Sequence, residues 1–224
     1  MYAAEAEGLA ALRAAGVRAP EPYAHGVRGG EAYLEMEHLD LGGPADWPAM
    51  ARMLASLHRH VAGRYGWPRD NWIGLAPQKN GEFGDWIGFW RERRLQPQLE
   101  LARSNGHRFD AAALLDRVAG FFKGYTPLPS LLHGDLWSGN AGFLAGGAPV
   151  LFDPAVYYGD READLAMSEL FGGYPREFYA AYREAWPLDS GYEMRKPLYN
   201  LYHLLNHLNL FGSGYLRQVQ TTLS

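Results

Sequence analysis

The stretch from Leu131 to Asp153 constrains this chain more than any other. It opens as Leu131-Leu132-His133-Gly134-Asp135-Leu136-Trp137-Ser138-Gly139-Asn140. Two short runs follow, 141–145 and 148–152, on either side of Gly146-Gly147, and Asp153 closes the segment. A Gly-Gly pair between such runs predicts a β-hairpin with a two-residue loop. Folded there, Ala145 faces Ala148 and, counting outward, Asn140 faces Asp153. Directly opposed residues have Cβ atoms about 4.5–5.5 Å apart. The register therefore predicts an amide oxygen beside a carboxylate, with Asp135 just ahead of the hairpin.

Those residue types suit a particular chemistry. Magnesium is a hard cation that takes oxygen ligands and also binds phosphates. Asp135 and Asn140 stand in the spacing D-x-x-x-x-N, in which a phosphoryl-transfer loop holds the base for a substrate hydroxyl and a metal ligand. Asp and Asn beside Gly are also ordinary turn residues, so the spacing alone says little. With His133-Gly134 upstream, a hairpin, and a second Asp at the matching end, the set points to chemistry rather than to a turn. His133 has a pKa range suited to acid–base work, but its place in the segment favours a structural bond to the loop backbone.

The remainder of the chain predicts a helical majority. Helices are expected over 3–15, with Gly16 as stop signal, and over 47–60, 86–102, 111–122, 164–171, 175–186 and 193–211. Pro20 and Pro22 break the chain after the first helix. Two strands are expected around Gly29-Gly30 over 27–39, then a loop over 40–44. The segment 63–81, rich in Gly, Pro, Asn and Trp, reads as a long loop. The 224 residues carry a formal net charge of −4, which offers no basic stripe to nucleic acid. No segment is apolar enough to span a membrane, and the start lacks the pattern of a signal peptide. Without cysteine there is no disulfide framework, so a cytoplasmic protein is the simplest expectation. The seven Trp and fourteen Tyr could present sugar-binding surfaces, but aromatic rings more often fill cores.

His133 to Asn140, followed by Phe152-Asp153-Pro154-Ala155, resembles the fructosamine (ketosamine) kinases, within the protein-kinase-like fold shared with aminoglycoside phosphotransferases. The likeness continues through Tyr158-Gly159-Asp160-Arg161-Glu162-Ala163-Asp164-Leu165-Ala166, Leu170-Phe171-Gly172-Gly173-Tyr174-Pro175 and 201–209. It includes Gly66-Trp67, Asn71, Gly74, Gln78 and Asn80. The resemblance implies an α+β, two-lobed fold, with 1–39 as the remainder of a small lobe and 40–224 as a helical large lobe. It implies Asp135 as general base and Asn140 and Asp153 as magnesium ligands. Met36, Glu37 and His38 match the hinge that meets adenine of ATP through backbone groups, and Glu5 matches the small-lobe Glu that pairs with a strand Lys. Taken alone, Glu5 reads as a solvated helix charge and Met36 as core. Trp137 is a candidate to stack on the sugar or to pack beneath the loop. Asp160, Glu162 and Asp164 could meet an amine or cap a helix N-terminus.

The activity implied is ATP-dependent phosphorylation of the third hydroxyl of a ketosamine, a deglycation step acting on a small ketosamine or a glycated amine. Alternatives are a non-catalytic kinase-like binding protein and a kinase for another hydroxylated substrate such as an aminoglycoside. In the family the phosphate-covering loop and the strand Lys precede the stretch matching Tyr2, and Lys79, Lys123 and Lys196 all lie far downstream. This chain alone is therefore expected to turn over poorly. An exposed apolar face on a shortened small lobe could be covered by a second subunit, which size-exclusion chromatography would test.

Overall fold

The computed structural model describes residues 1–223. Helix α1 (Tyr2–Ala14) buries Leu9 and Leu12, and left-handed Gly16 follows its C-cap, Ala15. Strands β1 (Pro22–Arg28) and β2 (Glu31–Met36) pair antiparallel, with Arg28 opposite Glu31. Gly29 (φ +61°) and Gly30 (φ +89°) supply the two left-handed residues that a tight hairpin turn requires. β1 starts earlier than Val27, where the sequence suggested it. Pro22 is its first residue, a position where a missing N–H breaks no ladder bond.

Helix α2 (Trp47–His58) is capped by Asp46, whose carboxylate accepts the Ala49 N–H at 2.8 Å. It buries Met50, Leu54 and Leu57 and stops two residues short of the expected end. The segment expected as an open loop instead holds β3 (Tyr65–Trp67), β4 (Asn71–Ile73), β5 (Ala76–Gln78) and β6 (Gly81–Phe83). Three-residue strands show no readable alternation, and their Gly and Pro content signals turns.

Helix α3 (Trp86–Phe89) runs through a π-helical stretch, Trp90–Leu95, into α4 (Gln96–Ser104). The wider π turn falls just before Pro97, which has no N–H to give an α-helical ladder. Helix α5 (Ala111–Arg117) tightens into a 3-10 turn over Val118–Phe122. Then come β7 (Ser130–Leu132), β8 (Ala141–Phe143), β9 (Pro149–Leu151) and β10 (Tyr157–Gly159). Helices α6 (Glu162–Leu170), α7 (Arg176–Ala185) and α8 (Tyr192–Phe211) follow as expected, within two residues. A last helix, α9 (Leu216–Leu223), was not foreseen.

β6, β3, β10 and β7 form a four-stranded antiparallel sheet in that order, and β8 pairs with β9 as a separate hairpin. Most of the aromatic surplus fills the core. Trp86, Phe89, Trp90, Tyr157 and Tyr199 contact one another ring to ring beside α8, and all five are buried. Among the described residues no helix is long and apolar enough to cross a membrane.

Candidate active site

Strand β7 leads directly into His133, Gly134 and Asp135. Gly134 has φ +84°, and a Cβ there would lie 2.0 Å from the Ala155 carbonyl oxygen, so only glycine fits. The two amides before Asp135 are clamped by one buried carboxylate. Asp164 on α6 accepts the His133 N–H at 2.7 Å and the Gly134 N–H at 2.9 Å. His133 is fully buried; its Nε2–H donates to the Phe152 carbonyl at 3.0 Å and its Nδ1 accepts the Asp135 N–H at 3.3 Å. Burial holds its pKa below the usual histidine range. A neutral ring bonded to loop backbone at both nitrogens is the structural role expected of it.

The hairpin forms, but one residue out of the predicted register. Ala141 faces Leu151, Gly142 faces Val150 and Phe143 faces Pro149. The Leu144 N–H donates to the Ala148 carbonyl at 2.9 Å, and the Gly147 N–H to the Leu144 carbonyl at 2.7 Å. The loop is thus Ala145-Gly146-Gly147, with Gly147 left-handed at φ +84°. Three-residue loops of this kind place glycine at that position. Asn140 therefore sits opposite Phe152, whose N–H it accepts at 3.1 Å, and not opposite Asp153.

A one-residue slip would ordinarily turn Asp153 to the other face. Asp153 leaves the hairpin instead in a left-handed conformation, φ +56°, the one positive φ outside glycine among the described residues. Asn140 Nδ2 donates to the Asp135 carbonyl at 2.9 Å and to Asp135 Oδ2 at 3.2 Å, and approaches the Asp153 carbonyl at 3.5 Å. All three neighbours are acceptors, which fixes the amide orientation. Its Oδ1 takes no hydrogen bond from the described residues.

Burial, and then the negative charge of Asp153, pushes the Asp135 carboxyl up to about 7, against the opposing hydrogen bond from Asn140. Glu5, on the first turn of α1, is also raised, by burial first and Asp153 second. Glu5 and Asp153 line one cleft of about 200 Å³ with Asn71, Trp72, Leu75 and Pro154. A cleft in which burial and the charge of Asp153 raise the neighbouring carboxyls favours a cation beside them. The donors also suit magnesium, which is held by one or two carboxylates together with substrate phosphates. A ready-made cage of three or more His, Cys, Asp or Glu side chains is absent among the described residues, and that mode of binding does not need one.

Helix α1 is fixed against this cleft by three contacts. Gly8 packs on Pro154, leaving a Cβ only 3.1 Å from Pro154 Cγ. Glu7 accepts the Trp67 indole N–H at 3.1 Å and pairs with Arg69 at 2.7 Å. The segment 63–81 lines this cleft through Trp72 and Leu75. It also has a supporting role that sequence reasoning missed. Asn71 Nδ2 donates to the Val156 carbonyl at 2.8 Å and Gln78 Nε2 to the Ala155 carbonyl at 3.0 Å, just behind Asp153. Asn80 braces Asn71 at 2.8 Å, and Arg94 braces Asn80 at 2.9 Å. The signals available were a cluster of amides in one short segment and the place of Asn71, Gln78 and Asn80 in the resemblance.

Around Met36, Glu37 and His38 the side chains are mostly committed elsewhere. Met36 packs on the core and His38 is exposed. Glu37 is held by both guanidinium nitrogens of Arg18, which keeps its carboxyl below the usual range. The Glu37 N–H donates to the Glu21 carbonyl. Neither the Glu37 carbonyl nor the His38 N–H has a partner among the described residues. The chain beyond them is stitched to the hairpin: the Ala145 N–H donates to the Asp40 carbonyl at 2.9 Å and the Gly42 N–H to the Phe143 carbonyl at 3.1 Å. Trp137 is 37% exposed, with its ring packed over Gly139 and its carbonyl accepting the Tyr174 hydroxyl at 3.1 Å. Asp160, Glu162 and Asp164 are all buried and internally bonded. Asp160 accepts the Tyr199 and Tyr125 hydroxyls and the Glu162 N–H, and Glu162 is paired with Arg195. Burial and these internal bonds favour the structural reading of all three.

The chain was compared with known proteins. The family model described as "Fructosamine kinase" matches residues 1–224. A candidate ketoamine kinase of Synechocystis sp. is 48% identical over 100% of this chain and 77% of its own length. The chloroplastic protein-ribulosamine 3-kinase of Arabidopsis thaliana is 42% identical over 96% of this chain and 68% of its own length. The crystal structure of a candidate fructosamine-3-kinase from Haemophilus somnus 129PT superposes with a TM-score of 0.94 at 32% identity, covering 100% of this chain and 78% of that one. The α+β, protein-kinase-like fold expected from the sequence is the fold observed. The chain belongs to the fructosamine kinase family.

Proposed function

We propose that this protein transfers the γ-phosphoryl group of ATP to a sugar hydroxyl of a ketosamine, fructosamine or ribulosamine in type. Membership of the family makes it a phosphotransferase with an alcohol group as acceptor. The observation that carries the finer reading is the convergence of Asp135, Asn140 and Asp153 despite the shifted hairpin register.

Asp135 accepts the proton of the attacking hydroxyl and orients it in line. Its raised carboxyl, pushed up to about 7, suits a base that works near neutrality. Asn140 Oδ1 and the Asp153 carboxylate would hold magnesium, which when bound supplies charge neutralisation for the phosphates. Glu5 faces the same cleft from α1. The unpartnered Glu37 carbonyl and His38 N–H are the acceptor and donor that a hinge offers to adenine, and Met36 packs beside them. On this reading 1–39 supplies the nucleotide side and 40–224 the catalytic loop and metal hairpin. The exposed part of Trp137 supports a stacking role toward the sugar. A phosphorylated ketosamine is unstable and releases its amine, so the step would serve deglycation, with the cytoplasm as its expected compartment.

The test is ADP release with ATP, magnesium and ribulose-lysine or fructose-lysine. Turnover should be abolished in Asp135→Ala and by chelation of the metal. Release that is unchanged in Asp135→Ala would sink the assignment. Turnover on an aminoglycoside but on neither ketosamine would redirect it.

A further inference from the structure

The carboxylate that clamps the catalytic loop is itself held from behind. Asp164 Oδ2, which accepts the His133 N–H, lies 3.1 Å from His58 Nε2. His58, on α2, is fully buried, and its Nδ1 lies 2.7 Å from the Tyr182 hydroxyl on α7. The Tyr182 oxygen in turn lies 3.1 Å from Arg161 Nη1, and Arg161 also donates to the Trp186 carbonyl at 3.1 Å.

The donor directions are forced from both ends. Arg161 can only donate, so the Tyr182 oxygen accepts from it and the Tyr182 proton is free to go to His58. Asp164, bonded to two loop amides, can accept only a third N–H. A neutral imidazole with its proton on Nε2 satisfies every group, and burial favours that uncharged ring. A charged ring would leave the Tyr182 proton without an acceptor.

We propose that His58 is a positioning residue for phosphoryl transfer. Tyr182 fixes its Nε2–H tautomer, and that N–H holds the Asp164 carboxylate where its two oxygens set the 133–134 backbone and hence Asp135. The inference rests on the reading of Asp135 as the base. Three helices then share control of the loop: α2 through His58, α6 through Asp164 and α7 through Tyr182. This support is separate from the bonds that Asn140 and Phe152, at the ends of the hairpin, make to Asp135 and His133.

The test reads turnover and amide hydrogen exchange in parallel on the full chain. His58→Leu should lower kcat by about 10²-fold, the scale of a misplaced reacting group, with KM for nucleotide and ketosamine little changed. Exchange at His133 and Gly134 should quicken while the α8 amides keep their protection. His58→Gln places an amide nitrogen near the position of Nε2 and should recover most of both; His58→Asn reproduces the Nδ1 position and should not. Tyr182→Phe should fall between wild type and His58→Leu. Equal behaviour of the Gln and Asn variants, or loosening of α8 in step with the loop, would overturn the proposal. If Asp135→Ala leaves ADP release unchanged, the functional reading fails separately. The exchange data then still decide whether His58 holds the loop.

Discussion

Replacing Gly134 with alanine should separate the geometry of the catalytic loop from its stability. The perturbation has two parts. An alanine at φ +84° sits in left-handed backbone, which costs about 1–2 kcal/mol. Its Cβ would also lie 2.0 Å from the Ala155 carbonyl oxygen. Cβ contacts do not fall below 3.0 Å, so the backbone must give by about 1 Å. The Ala155 oxygen cannot yield alone, because Gln78 Nε2 bonds it at 3.0 Å and the Ala155 N–H bonds the His133 carbonyl at 2.8 Å. The shift therefore falls on Gly134 and on Asp135 beside it. A displacement of about 1 Å at a reacting group costs about 10²-fold in rate. Conformational strain alone should lower Tm by about 2–8 °C in a domain of this size. Gly16→Ala is the control. Gly16 has φ +82° with nothing within 4 Å of the added Cβ. It should lose similar stability and keep its turnover. The two are compared by thermal melt and by kcat at a temperature where both are folded. Equal kcat in the two variants would refute the argument that the contact with Ala155 sets the position of Asp135.

Two further outcomes follow from buried groups away from the reaction. His203 is buried and neutral, its pKa pushed down to about 3 by burial, while an unfolded histidine titrates near 6.5. Below that pH the unfolded chain binds a proton the folded chain does not. Stability should therefore fall with acidity by about 1.4 kcal/mol per pH unit between about pH 6.5 and 3, with His58 and His133, also pushed down, steepening the loss. Urea midpoints from pH 7 to 4 would show it, and His203→Phe should remove about one proton from the slope; an unchanged slope would contradict the burial argument. Arg94→Lys keeps the charge but loses the fork that reaches both Asn80 Oδ1 and the Lys79 carbonyl. A buried acceptor left unpaired costs about 1–3 kcal/mol, so Tm should drop by several degrees, and a Tm equal to wild type would mean that the amide brace stands without it.

The parts of the site that were legible in the sequence are the parts that depend on short spacing. Asp135 and Asn140 are five residues apart in one loop, and the Gly-Gly pair marks a hairpin whatever its exact loop length. The register was not legible, because two- and three-residue loops both use glycine and differ only in which residue is left-handed. Gly147 adopts that conformation and Gly146 does not, a choice made by the Leu144–Ala148 bond and by the stitching of Ala145 to Asp40. Asp153 still lies beside Asn140 and Asp135, since its left-handed turn re-aims the chain after the hairpin.

The parts that stayed hidden join residues far apart in sequence. Trp67 meets Glu7, Gln78 meets Ala155, and His58 meets both Asp164 and Tyr182. No local pattern announces such pairs, and a lone buried histidine or glutamine reads as an ordinary core or turn residue. Their common feature is the target. The amides of 133 and 134, the carbonyls of 155 and 156, and the face of Pro154 are all backbone or proline surface beside Asp135 and Asp153. Side chains from three elements, β4, β5 and α6, hold main chain there, so the positions of the two aspartates rest mainly on backbone bonds, and the one side-chain bond to their carboxylates is that of Asn140 to Asp135 Oδ2. On the proposed function, Asp135 Oδ1 and the Asp153 carboxylate are the oxygens a hydroxyl and a cation would meet. This division of labour explains how a helix, a sheet edge and a separate hairpin can build one site from residues that the sequence shows only in fragments.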